Sequence, residues 1–200
     1  MIRIKMCGIT RIKDIDAVNE IKPDYIGFVF VKKSKRYIPP EKAAELRMRL
    51  DKNIKAVGVF ADEDIHEAAR LLKCNIIDIA QLHGSENNDY IIELKAMTNK
   101  PVIKAFRILT NSDVIAAQRS AADMILLDAG AGDGKVFDWS LAENVTRPYF
   151  LAGGLTPENT EEAINKLHPY GIDVSSGIET DGIKDKIKMA AIAAAVRKEE

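Results

Sequence analysis

Cysteine is scarce in this chain: two residues, Cys7 and Cys74, in 200. No C-x-x-C pair, Walker-type loop or nucleophile elbow occurs, which removes the chemistries those motifs carry. The three histidines, His66, His83 and His168, are scattered without metal-ligand spacing, so no metal is expected. One sign of charge does not dominate either. The formal net charge is -1, and the basic residues are dispersed among acids with no interleaved aromatics. Neither a nucleic acid nor an anionic membrane is therefore expected as a partner. Long apolar runs are missing too. The longest, at 189–196, is far too short to cross a bilayer. With no secretory signal pattern, the expected location is the cytoplasm, where both thiols stay free.

What is present is regular. The chain is 46% apolar and 30% charged, as in ordinary globular proteins. Short β-type runs alternate with helical patterns along its length. Residues 2–6 alternate Ile and Met with Arg and Lys and run into Cys7-Gly8, where Gly8 would leave room for a ligand. Further strands are expected at 25–31, 54–60, 76–82, 101–106, 124–127, 149–151 and 172–174. Helices are expected at 13–21, 41–50, 88–97, 112–121, 140–144 and 184–198. Two more end at Lys73, capped by Asp62 or Glu63, and at Leu167, capped by Thr156 with Pro157 at the first helical position. Asn111 or Ser112 would cap the helix at 112–121. Eight βα units without a linker imply one (β/α)8 barrel domain over 1–200. A doubly wound open sheet would carry G-x-G-x-x-G after its first strand, where this chain reads C-G-I-T.

In a parallel barrel the C-terminal strand ends share one face, and active sites sit there. That rim collects Cys7, Ser34 to Arg36, Asp62, His83, Arg107, Asp128, Gly153-Gly154 and Ser175-Ser176-Gly177. Gly153, Gly154, Ser175, Ser176 and Gly177 follow strands 7 and 8, the two loops that hold phosphate in many barrels. A phosphorylated small molecule is the expected ligand. Cys7 and Asp128, from strands 1 and 6, would meet such a ligand from opposite sides, which suits proton transfer at two positions. Arg36 offers a fork for a carboxylate. His83 reads as a packed imidazole that holds its neighbours by hydrogen bonds, a substrate-binding residue rather than a catalytic one.

Several segments, in order, resemble the phosphoribosylanthranilate isomerase family. They are KMCGIT, SKRYI, QLHG, FDW, AGGLTPEN, DVSSGIE and GIKD. The resemblance implies an Amadori rearrangement within tryptophan biosynthesis, with no metal or organic cofactor. Asp128 would be the general acid, Cys7 the general base, and Arg36 the anthranilate-carboxylate ligand. Such an acid needs a pKa above ~3.9, and such a base must lose a proton from about 8.5. Lys5 or backbone dipoles are expected to help the thiolate. Two positions depart from the family pattern. Asp133 stands in a loop that usually reads Gly-Gly-Thr/Ser-Gly, and Lys35 replaces a proline before the arginine. Other phosphate-binding barrels, indole-glycerol-phosphate synthase or a pentose-phosphate epimerase, would call for different strand-end residues. A catalytically silent barrel is the alternative outside enzymes. Assembly is expected to be monomer or homodimer.

Overall fold

The computed structural model describes residues 2–128 and 139–198. The glycine-rich loop with Asp133 lies outside the described residues. Eight parallel strands close into a barrel in chain order. They are β1 (Arg3–Cys7), β2 (Tyr25–Val29), β3 (Lys55–Phe60), β4 (Ile79–Leu82), β5 (Val102–Arg107), β6 (Met124–Asp128), β7 (Tyr149–Ala152) and β8 (Gly171–Val174). β8 pairs back onto β1 with Lys5 opposite Asp173, and that ladder closes the sheet. The strands are near-continuously apolar because both faces are covered. In β3 every residue after Lys55 is buried. Val57, Ile79, Ile103, Leu126 and Phe150 form a cluster of their own, on strand positions of one parity. Cys7 packs with Val29 and Val59, nearer the C-terminal strand ends.

The helical layer is α1 (Ile12–Ile21), α2 (Pro40–Arg47), α3 (Ile65–Lys73), α4 (Asn88–Thr98), α5 (Asn111–Gln118), α6 (Thr160–Leu167) and α7 (Lys186–Arg197). Several boundaries differ from expectation, each for a local reason. α3 is capped by Asp64, which accepts from the His66 N–H; Asp62 instead accepts from Ser85. Thr110, not Asn111 or Ser112, caps α5, in a reciprocal box with Asp113. Before α6, residues 157–159 form a turn, so Pro157 precedes the regular helix. β4 starts three residues later than expected because the Asp78 carboxylate binds the Ala56 N–H and Arg47. Residues Trp139–Asn144 form a 3-10 helix.

The largest departure follows β8. A 3-10 turn, Ser176–Ile178, leads into a hairpin of β9 (Glu179–Thr180) and β10 (Ile183–Lys184). Lys184, expected in the last helix, is therefore a strand residue. α7 starts after Asp185, whose carboxylate accepts from the Ile187 and Lys188 N–H groups.

Candidate active site

A cleft of about 740 Å³ opens at the C-terminal strand ends. Cys7, Arg36, His83, Asp128, Gly153, Gly154, Ser175 and Ser176 all line it. Gly177 does not. A Cβ there would meet the Leu155 carbonyl oxygen at 1.8 Å, so Gly177 lets the loops after β7 and β8 touch. Gly153 and Gly154 both have positive φ, 91° and 66°. Around Gly154 a Cβ would meet nothing, so backbone conformation alone keeps glycine there.

Cys7 ends β1 and is buried at the cleft wall. Gly27 makes space for it, since a Cβ on that residue would lie 2.6 Å from the Cys7 Sγ. Burial pushes the thiol pKa up, and Asp173 adds to the rise. Lys5 and Lys184 oppose it without cancelling it. The net shift favours the protonated thiol. Lys5 lies two residues back on the same strand and is fully buried. Its Nζ donates to Asp173 Oδ1 at 2.8 Å. Burial lowers the Lys5 pKa, but Asp173 and Cys7 more than restore it, so Lys5 carries a charge inside the barrel.

Gly8 does not open room for a ligand. A Cβ there would sit 2.6 Å from the Arg36 Cδ, so the glycine lets Arg36 cross. The Arg36 Nε and Nη2 each donate to Glu179 at 2.7 Å. Lys184 Nζ donates to the same carboxylate at 2.6 Å and to the Ser175 carbonyl at 2.9 Å. Burial pushes Glu179 up, but the two cations overcome it and hold its carboxyl below the usual range. The Glu179 bond raises the Arg36 pKa, while burial lowers that of Lys184. Lys35 is exposed, so the arginine is anchored by Glu179 instead of by its chain neighbour.

On the far wall His83 is not packed. Its side chain is 38% exposed, and Nε2 lies 3.1 Å from Asp128 Oδ2. Its role as a hydrogen-bonding neighbour stands; its burial does not. The loop carrying it is fixed from behind the sheet. Lys104 Nζ donates to the Gly84 carbonyl at 2.7 Å and to Glu86 at 3.0 Å. Glu86 accepts from the N–H groups of Asp62 and Gly84. Both charged side chains are almost fully buried.

Sequence reasoning missed Asp173, Glu179, Lys184 and the Lys104–Glu86 pair as parts of this site. Lys5 was legible because residues two apart on a strand share a face; Asp173 and Glu179 lie in DVSSGIE and Lys184 in GIKD, segments that were noted without a role for those three side chains. Among the described residues, no group of three or more His, Cys, Asp or Glu is placed to hold a metal ion. No helix there is long and apolar enough to cross a membrane.

The family model for N-(5'phosphoribosyl)anthranilate (PRA) isomerase matches residues 4–195. The N-(5'-phosphoribosyl)anthranilate isomerase of Endomicrobium trichonymphae is 44% identical over 94% of this chain and 95% of its own. A crystal structure of phosphoribosyl anthranilate isomerase in complex with reduced 1-(o-carboxyphenylamino)-1-deoxyribulose 5-phosphate superposes with a TM-score of 0.89. It is 34% identical, covering 99% of this chain and all of that one. A structure of monomers of the dimeric enzyme from Thermotoga maritima gives 0.87 at 34% identity, covering 98% of this chain and 99% of that one. With its closed barrel, its cleft and this near-complete match, the chain belongs to the N-(5'-phosphoribosyl)anthranilate isomerase family.

Proposed function

We propose that this chain converts N-(5-phosphoribosyl)anthranilate to 1-(2-carboxyphenylamino)-1-deoxyribulose 5-phosphate, the Amadori step of tryptophan biosynthesis. The observation that carries the reading is that Cys7 and Asp128 face one cleft from β1 and β6, in a member of this family. A solved relative binds the reduced form of that product.

In this reading protonated Asp128 gives its proton to the ribose ring oxygen. The C1–O bond breaks, and the anilino nitrogen lone pair forms C1=N. Cys7, as thiolate, then takes the proton from C2. Those electrons form C1=C2, and the C1=N pair returns to nitrogen, giving an enolamine. A proton added at C1 and one lost from the C2 hydroxyl complete the ketone. His83, at 3.1 Å, orients the Asp128 carboxyl. Arg36 keeps N–H groups beyond the two held by Glu179, and these receive the anthranilate carboxylate. Gly153-Gly154 and Ser175-Ser176 line the same cleft and receive the phosphate. The nitrogen lone pair drives the C–O cleavage and side chains move every proton, so this reading invokes no metal or organic cofactor. We take residues 1–200 as one catalytic domain, working in the cytoplasm as monomer or homodimer.

The test is turnover of freshly generated phosphoribosylanthranilate, followed by loss of its fluorescence. Wild type is expected to turn it over. Cys7→Ala and Asp128→Asn should each lower kcat by about 10²-fold or more. An inactive wild type, or variants within a few-fold of it, would overturn the assignment.

A further inference from the structure

Lys5 has no solvent contact at all, which for a charged lysine demands a reason. An apolar pair in its place and that of Asp173 would serve stability as well or better. The two are instead kept as an ion pair, directly beside a group that must change its charge. Strand parity turns Lys5 and Cys7 to the same side of the sheet, and the β1–β8 register sets Asp173 opposite Lys5. Asp173 also lines the cleft with Cys7, whereas Lys5 does not.

We infer that Lys5 is a positioning residue that supplies, from inside the barrel, the positive counter-charge for the Cys7 thiolate, while Asp173 holds Lys5 and moderates its effect. The inference rests on the role proposed for Cys7, but it concerns how that thiol ionises in the free protein.

The other charges near Cys7 are already engaged. Lys184, from β10, and Arg36, from the loop after β2, share the Glu179 carboxylate. His83, just after β4, and Arg107 and Asp128, at the ends of β5 and β6, line the cleft. Ser175 Oγ donates to the Cys7 carbonyl. Lys5 lowers the thiol pKa more than Lys184 does, and Asp173 raises it by less than Lys5 lowers it. The neutral pair thus favours thiolate on balance, against burial. Deleting Lys5 alone removes the favourable charge and leaves the unfavourable one. Deleting both removes a smaller net effect.

The experiment is iodoacetamide alkylation of Cys7 across pH, followed by peptide mass spectrometry in a Cys74→Ser background, because Cys74 is exposed. Lys5→Met should slow alkylation at about pH 8 by about tenfold or more and raise its pH midpoint. Lys5→Met/Asp173→Asn, which leaves no buried unpaired charge, should fall between that variant and wild type. The rising limb of kcat/KM against pH should move in the same order. A Lys5→Met midpoint equal to wild type would overturn the inference. So would a double variant at the wild-type midpoint, which decides the matter even where Lys5→Met does not fold. A double variant matching Lys5→Met would refute the moderating role of Asp173. Because alkylation uses no substrate, these outcomes stand apart from any failure of the isomerase reading.

Discussion

Replacing Glu179 with glutamine tests how the carboxylate-binding arginine is held. In wild type one carboxylate accepts two bonds from Arg36 and one from Lys184. The Glu179 and Lys184 side chains are 8% and 3% exposed, and that of Arg36 is 31% exposed. Breaking a buried pair costs about 3–5 kcal/mol. Glutamine keeps one acceptor, and Arg36 is partly solvated, so we expect a loss of about 2–3 kcal/mol. With an m-value near ~2 kcal/mol/M, the urea midpoint at neutral pH should fall by about 1 M. The sign with pH is fixed by the depressed pKa of Glu179. Its contribution is complete above the unfolded value of about 4.3 and is lost as pH falls through the folded value. The gap between wild type and Glu179→Gln must therefore narrow on acidification. Competitive inhibition by anthranilate should also weaken, because Arg36 loses its fixed orientation. Equal urea midpoints at neutral pH, or a gap that widens in acid, would refute this account of the site.

Two further substitutions probe the supports of the cleft. Lys104→Met leaves Glu86 buried without its cation and should cost about 3 kcal/mol or more in urea unfolding; kcat should fall with it, because the loop holding His83 is tied to Lys104 through Gly84. Gly177→Ala drives a Cβ into the Leu155 carbonyl, so thermal unfolding should show a loss of at least about 1–3 kcal/mol. Inhibition by inorganic phosphate should weaken in the same variant if those two loops form the phosphate site.

Much of the architecture was legible in the linear chain. Buried parallel strands read as apolar runs such as YIGFV in β2, and the helices between them read from their own patterns. Errors clustered at element ends, where caps compete at neighbouring positions. Asp62, Glu63 and Asp64 offer three carboxylates in a row, and backbone geometry alone selected Asp64. The β9–β10 hairpin was missed because two-residue strands have no period to detect. The rim rule still gathered eight of the nine expected site residues, since it needs only strand order and direction.

The sequence by itself determined the eight alternating units, the parity that turns Lys5 and Cys7 to one side, and the set of polar residues at the strand ends. These depend on local propensity and on a period of two. Tertiary structure alone decided which charges meet. Lys5 and Asp173 are 168 residues apart, and Arg36 and Glu179 are 143 apart. Each pair exists because β8 closes onto β1 and brings the end of the chain beside its beginning. That closure made Gly8 a passage for Arg36, and it set a buried charge beside the Cys7 thiol. The physical reason is one of range. Periodicity is written within a few residues, whereas partnership between buried charges is fixed only when the barrel closes, excludes water and brings distant side chains together.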